Sequence, residues 1–478
     1  QANYLSGQYL SNDKSYDQAI KQYSAVLTAA PNKYVPFALY GRGWAFLNKK
    51  TNQEALDDFS TIIENHSKHK LSADAYYSRG VTNRRLGLNS EAVADLDTCL
   101  KENSNFTNRM SALYEKGMAL SSLKEYQKAA QTFERLATDF GEDKDADEYT
   151  YQLAWSHKLN KQPKKAAVQF RKLTTAFPKS PLAAESHYHV AEDLYQAGKF
   201  DEAAKEYVLA VQKSKTPEIG EKSWYKLGWS YYQQKKYPEA QEKFIQQLAE
   251  FQGGEYVESA QFMVAECYYQ QNNFKLAYAE FSKIKEAVVA SSKTNAAEKA
   301  LTCFHGAESA NRIREFEAAL KFGKTLQNDL KEKMYAADTW LEMGNAHRGL
   351  KKFTAAISAF ENATEKDPNG ATGARAGFLM GEVLFQEKKF KEAINQYKLI
   401  IYGFGGKRAP EQIKKWQCSS GYETARCHHV QIKTETDQKK RKLLIDEAIK
   451  FYNYVIENHS SDRLAAESKK QIAVLKKL

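Results

Sequence analysis

The sequence predicts an all-α protein, a solenoid of about twelve helix-turn-helix repeats. Three observations carry this. An alanine recurs at Ala19, Ala55, Ala92, Ala129, Ala166, Ala203, Ala240 and Ala277, then at Ala319, Ala356, Ala393 and Ala448. The spacing is 36 once, 37 thereafter up to Ala277, and then 42, 37, 37 and 55. Four residues after most of these alanines stands a large apolar residue, among them Tyr23, Phe59, Phe133, Phe170, Phe244 and Phe360. Twelve residues before them stands a second small residue, such as Gly43, Gly117, Ala154, Gly228 or Gly344. A fixed period in this range is the signature of a repeat architecture.

Each feature has a structural meaning. Residues four apart share one helix face, so each alanine and its large neighbour form one packing edge. Glycine is unfavourable inside a helix, so its recurrence at one register position predicts close contact with another helix. Between the two sites falls a short turn such as Gly198-Lys199-Phe200, and prolines Pro31, Pro178 and Pro368 close their units. A single helix pair cannot bury its apolar face, and stacking pair on pair solves this.

Composition agrees. The 478 residues are 42% hydrophobic and 27% charged, with nine prolines, 24 glycines and no linker-like stretch. No run approaches the roughly 20 apolar residues that span a bilayer. Five cysteines, an odd number, sit in helical patterns and do not read as a disulfide framework. The four Asn-x-Ser/Thr sequons, at Asn65, Asn105, Asn362 and Asn458, carry meaning only in a eukaryotic secretory context.

The repeat resembles the tetratricopeptide repeat, whose pattern is W-x2-L-G-x2-Y followed by a small residue, an aromatic and a proline. Trp224-Tyr225-Lys226-Leu227-Gly228-Trp229-Ser230-Tyr231, with Ala240 and Phe244, fits it best. Trp340 to Gly344, with Ala356, Phe360 and Pro368, fits nearly as well. The period departs from the family's usual 34. The resemblance implies a right-handed superhelix with a concave face lined by the first helix of each pair. It also implies a non-enzymatic scaffold for protein–protein interaction. Long repeats ending in Phe177-Pro178-Lys179-Ser180 are similar to those of bacterial envelope proteins. A start at Gln1 fits removal of a signal peptide. These features point to a periplasmic or cell-envelope machine, the alternative being a cytoplasmic peptide-binding adaptor.

Breaks in the period divide the chain. Residues 1–284 form an eight-repeat array, 285–299 an irregular connector, 300–410 three further repeats, and 411–478 a divergent basic repeat with an insertion and a capping helix. The connector is a candidate hinge or a longer turn. The repeat after it has Gly323 where an aromatic belongs.

Two clusters are candidates for binding. An aromatic recurs on the first helix of each repeat, from Tyr40 to Tyr225 in steps of 37. With neighbouring rings it gives a candidate partner groove of Tyr151, Trp155, Tyr188, Tyr195, Tyr225, Trp229, Tyr232 and Tyr269. Rigid aromatics anchor interfaces at low entropic cost, although the ladder alone also serves packing between helices. The second cluster is the basic run Lys439, Lys440, Arg441 and Lys442. It lies within residues 407–478, which have 16 Lys and Arg against nine Asp and Glu and so hold +7 of the net +11. This run would touch an anionic surface, or it is a solvated loop. No aromatic-basic module of an RNA-binding fold accompanies it.

No phosphate loop, nucleophile elbow or paired His/Glu at metal-ligand spacing is present. Cys418, Cys427, His428 and His429 match no common zinc spacing. The expected partners are other proteins of a larger assembly, with no cofactor, no metal and no small-molecule substrate.

Overall fold

The computed structural model describes residues 1–29, 32–102, 107–330 and 333–478. Pro31 and Asn105 lie outside them. Among the described residues the fold is entirely helical, with 25 α-helices and no strand. Contacts divide the chain into unit 1, Gln1–Ser230, and unit 2, Tyr231–Leu478.

In unit 1, α1 (Ala2–Asn12) pairs with α2 (Tyr16–Leu27), α3 (Val35–Asn48) with α4 (Asn52–Asn65), and α5 (Ser72–Arg85) with α6 (Asn89–Glu102). The series continues with α7 (Arg109–Ser122) and α8 (Tyr126–Asp139), α9 (Ala146–Leu159) and α10 (Pro163–Ala176), then α11 (Ala183–Gln196) and α12 (Phe200–Lys213). The boundary between units falls inside α13 (Pro217–Gln233).

Unit 2 continues with α14 (Tyr237–Glu250), then α15 (Val257–Gln270) paired with α16 (Phe274–Ala290) and α17 (Ala296–Arg312) with α18 (Phe316–Lys324). There follow α19 (Ala336–Gly349) with α20 (Phe353–Lys366), and α21 (Ala371–Gln386) with α22 (Phe390–Tyr402). The last pair is α23 (Glu411–Ile432) and α24 (Gln438–Asn458), and α25 (Arg463–Leu475) closes the chain.

The small and large positions meet as the spacing predicts. A Cβ on Gly117 would lie 2.5 Å from the ring of Phe133, and one on Gly344 would lie 2.4 Å from Phe360. The aromatic therefore fills the volume that the missing side chain leaves. Ala129 and Phe133 are both fully buried, in a cluster with Leu113, Leu120, Leu136 and Leu153. Leaving even a methyl-sized void in such a layer would cost about 1 kcal/mol.

The turn inside each pair from α1–α2 to α21–α22 is one repeated device. The chain enters the left-handed region at Lys50 (φ 64°), Lys161 (φ 58°), Gly198 (φ 74°) and Lys388 (φ 61°). The following amide bonds back across the helix end. Thr51 N–H donates to the Phe46 carbonyl at 3.0 Å, and Gln162 N–H to that of His157 at 2.9 Å. This six-to-one bond satisfies carbonyls that the helix end orphans.

Three irregularities differ from the sequence reading. The segment expected as an irregular connector, 285–299, is helical except at 291–295. The extra residues lengthen α16 and α17 to 17 residues each, and a capping box between Asn295 and Glu298 starts α17. The repeat with Gly323 keeps its aromatic one residue earlier. Phe322 is buried, and a Cβ on Gly306 would lie 2.5 Å from its ring. A π-helical turn over Thr325–Leu330 follows and absorbs the register shift. Finally, the polar insertion is only a short link. α23 runs to Ile432 and α24 begins at Gln438, so the run 439–442 is helical.

Candidate functional site

First helices of neighbouring pairs touch one another in both units, α3 against α5 and α5 against α7, and α17 against α19 and α19 against α21. They line a common face in each unit, and this face carries the candidate aromatics.

In unit 1, Tyr151, Trp155, Tyr188, Tyr195 and Trp229 are partly exposed, and Tyr225 is buried. Burial of Tyr225 takes it out of the exposed set. Tyr151 meets Phe170 edge-on, ring centres 6.1 Å apart, and Tyr188 packs on Tyr207 at 5.9 Å. The ladder thus does packing work within each pair, and its outer edge stays accessible. Trp155 stands edge-on to Phe170 (6.3 Å) and to His189 (5.1 Å), with the Lys158 ammonium 4.3 Å over its ring. Burial lowers the His189 pKa below its ordinary value. Lys226 lies over Tyr195 at 5.3 Å.

In unit 2, Tyr232 and Tyr269 are partly exposed. Tyr269 stacks on His305 with ring centres 3.8 Å apart and planes 10° from parallel. His305 Nδ1 lies 2.7 Å from Glu266 Oε2, and both residues are buried. Burial alone would raise the Glu266 pKa, but bonds from His305, Gln270 and Tyr232 outweigh it and hold the carboxyl below its usual range.

The sequence reading missed the carboxylates. Tyr114 Oη donates to Glu148 at 3.3 Å, Tyr151 to Glu185 at 2.7 Å, and Tyr232 to Glu266 at 3.1 Å. All three pairs are 34 residues apart. Tyr269 donates to Glu308 at 2.6 Å over 39 residues, which is the same step lengthened by the extra residues of α16 and α17. Each bond joins the first helix of one repeat to that of the next. A recurrent Tyr-to-Glu spacing of 34 was available in the sequence as a signal.

The basic residues Lys439, Lys440, Arg441 and Lys442 are all exposed, in the first turn of α24. Asp437 caps that turn, accepting from the amides of Lys439 and Lys440. Cations there oppose the helix macrodipole. Cys418 and Cys427 are buried, and His428 stacks on Phe451. Among the described residues no group of three His, Cys, Asp or Glu is placed to hold a metal ion. None of the described helices is long and apolar enough to cross a membrane.

Stacked helix pairs with an aromatic and carboxylate face on their first helices define a helical-repeat protein of the kind that binds other proteins. The sequence matches the tetratricopeptide repeat over residues 4–69, 151–218, 225–288 and 341–408, more than half of the chain, and over 111–142 in a second form of the repeat. The chain belongs to the tetratricopeptide repeat family. No curated protein matches it. It is similar to the C-terminal part of a TPR repeat-containing protein from Cytophaga hutchinsonii, at 15% identity over 54% of this chain and 98% of that one, with a TM-score of 0.46. It is also similar to MamA from Desulfovibrio magneticus RS-1 (20% identity, 38% and 97% covered, TM-score 0.33). A third such structure is pilF of Pseudomonas aeruginosa (17% identity, 48% and 94% covered, TM-score 0.34).

Proposed function

We propose that the chain is a non-enzymatic scaffold that captures a segment of another protein on the first-helix face of unit 1. Trp155 is the central anchor, flanked by Tyr151 and Tyr188. The observation that carries this reading is the environment of Trp155. Its ring is half-buried and braced edge-on from two sides, so little entropy is lost when a partner covers it. Trp229, Tyr195, Tyr232 and Tyr269 supply further contact on their own units.

The 37-residue period and its likeness to bacterial envelope scaffolds support a place in a cell-envelope assembly, with the basic turn of α24 available for an anionic surface. Fractionation of the native cells tests the compartment, and a cytoplasmic pool alone would favour the adaptor reading. The groove is tested by Trp155→Ala with Trp229→Ala. Partner capture in a pull-down should weaken by about 2 kcal/mol or more, as for other hot spots, with helical content intact. Undiminished capture by the folded variant would move the binding site elsewhere.

A further inference from the structure

Unit 1 contains a cleft between α5, α7 and α9 that the aromatic groove does not include. Its volume is about 570 Å³, within the usual range for ligand sites. Its lining includes the tyrosines Tyr77, Tyr114 and Tyr149 and the carboxylates Glu115, Asp145, Asp147 and Glu148. Tyr77 and Tyr149 are buried, while Tyr114, Asp147 and Glu148 are partly exposed.

The charges of this cleft are unevenly matched. Glu115 is bridged by Arg84, and Lys144 lies 3.9 Å from Asp145. Among the described residues, Asp147 and Glu148 bond to neutral groups. Ser180 Oγ donates to Asp147 at 2.6 Å, and the Glu148 amide donates to its other oxygen at 2.9 Å. Glu148 accepts from Tyr114 at 3.3 Å and from Gln152 Nε2 at 2.8 Å. Burial and the facing carboxylates of Glu148 and Glu115 push the Tyr114 hydroxyl up to about 12. Two carboxylates without a cation, set among tyrosine faces, suit a guanidinium or ammonium group. The carboxylates accept its hydrogen bonds, and the rings offer cation–π contact.

We infer that this cleft receives basic side chains of the captured partner, so that the scaffold selects a segment bearing arginine or lysine. The inference rests on the proposed scaffold function and assigns it a partner chemistry. Charge complementarity identifies the occupant: an acidic segment would meet Asp145, Asp147 and Glu148 and be repelled.

The test uses the full chain and fluorescein-labelled octapeptides of alternating Gly-Arg and Gly-Glu, followed by fluorescence anisotropy. Asp147→Asn with Glu148→Gln keeps acceptors for Ser180, Tyr114 and Gln152, so the fold should hold, as circular dichroism would verify. The comparison variant, Glu54→Gln with Asp57→Asn, removes two exposed charges from α4. The Gly-Arg peptide should bind the unaltered chain and bind the cleft variant about tenfold more weakly, a difference of one decade in Kd. The α4 variant should stay within about twofold, well inside that decade, and the Gly-Glu peptide should not bind. Equal weakening in both variants, or no binding of the Gly-Arg peptide, overturns the inference. A pull-down of the native partner separates the two ideas. If Trp155→Ala with Trp229→Ala loses the partner and the cleft variant keeps it, the inference falls and the scaffold reading stands. If the aromatic variant keeps the partner, the groove reading falls, and the peptide result decides the cleft separately.

Discussion

The two units use the same coupling between repeats and balance its charge differently. In both, a tyrosine on one first helix donates to a glutamate on the next, Tyr151 to Glu185 in unit 1 and Tyr269 to Glu308 in unit 2. In unit 2 four first-helix glutamates meet a base, and two of them, Glu266 and Glu308, are the tyrosine acceptors. Glu266 faces His305, Glu308 is 3.0 Å from Arg312, Glu382 is 3.0 Å from Arg348, and Glu423 is 3.0 Å from Arg426. In unit 1, Glu115 is likewise bridged by Arg84, Glu192 lies 3.3 Å from Lys226 and Glu185 3.6 Å from His189, whereas among the described residues Asp147 and Glu148 bond to neutral groups. A face whose charges are matched internally has little left to offer a partner. A face with carboxylates matched only by hydroxyls and amides keeps its charge for recognition. The units therefore share an architecture, and the carboxylates Asp147 and Glu148 mark one cleft of unit 1 as the place where charge is left for recognition.

Truncating the matching glutamate in each unit should break this comparison most sharply. Glu266→Ala strands the buried His305 and removes the acceptor of Tyr232 and Gln270, and losing one member of a buried pair costs about 3 kcal/mol. Glu185→Ala removes a carboxylate that water already reaches, and should cost about 1 kcal/mol. Denaturant titration followed by hydrogen exchange in each unit would measure both. The Glu266 penalty also has a pH signature. Its folded pKa lies below the ordinary value of 4.5, so its contribution is full above about pH 4.5 and is lost as pH falls below that. Equal costs in the two units would show that burying the Glu266–His305 pair more deeply than Glu185–His189 adds nothing.

Glu342 sharpens the same point from inside unit 2, because it is a buried glutamate there whose direct partners are side-chain amides. Asn311 Nδ2 donates to it at 2.7 Å and Asn345 Nδ2 at 3.2 Å. Burial raises its pKa above the ordinary 4.5, the opposite shift to that of Glu266. A raised folded pKa means that the carboxyl favours folding below the unfolded value and costs stability as pH rises towards the folded one. Glu342→Gln should therefore stabilise unit 2 by about 1–2 kcal/mol at neutral pH and make no difference near pH 4, close to the unfolded value. Thermal melts across that range would show the gain growing with pH. A gain that is constant with pH would trace to packing and not to charge.

These electrostatic distinctions were the least legible part of the sequence, and the reason is geometric. The spacing of Gly117 and Phe133, or Gly344 and Phe360, is local to one repeat and obeys helix periodicity, so it can be read directly. Whether Glu148 or Glu266 faces a base depends on which side chain the next repeat brings across, 39 residues away in the case of Glu266 and His305. The aromatic candidates show the same limit. Tyr151 and Tyr225 occupy one register position, yet Tyr225 is buried and Tyr151 is half-exposed, because their neighbours differ. The missing aromatic near Gly323 failed for another reason. A π-helical turn changes the register, and a search at fixed spacing has no term for it.

The turn inside each pair is common to both units and gives the smallest effect. Lys161 in unit 1 and Lys388 in unit 2 occupy the left-handed conformation that Gly198 also adopts, at φ 58°, 61° and 74°. For a residue with a Cβ this conformation costs about 1–2 kcal/mol. Changing lysine to glycine relieves that strain but loosens the unfolded chain, which offsets about 0.4–1 kcal/mol. The net expectation for Lys161→Gly and for Lys388→Gly is a gain of about 0.5–1 kcal/mol each, and Gly198→Lys should lose a similar amount. The backbone bond that closes the turn uses the next residue's amide, Gln162 to His157 and Lys389 to Leu384, both at 2.9 Å, so neither substitution removes it. Equal gains in the two units, measured by chemical denaturation, would show that the turn is one device wherever it occurs. A gain in one unit alone would mean that its lysine side chain has a stabilising contact, and the contrast between the units would then extend from the first-helix face to the turns.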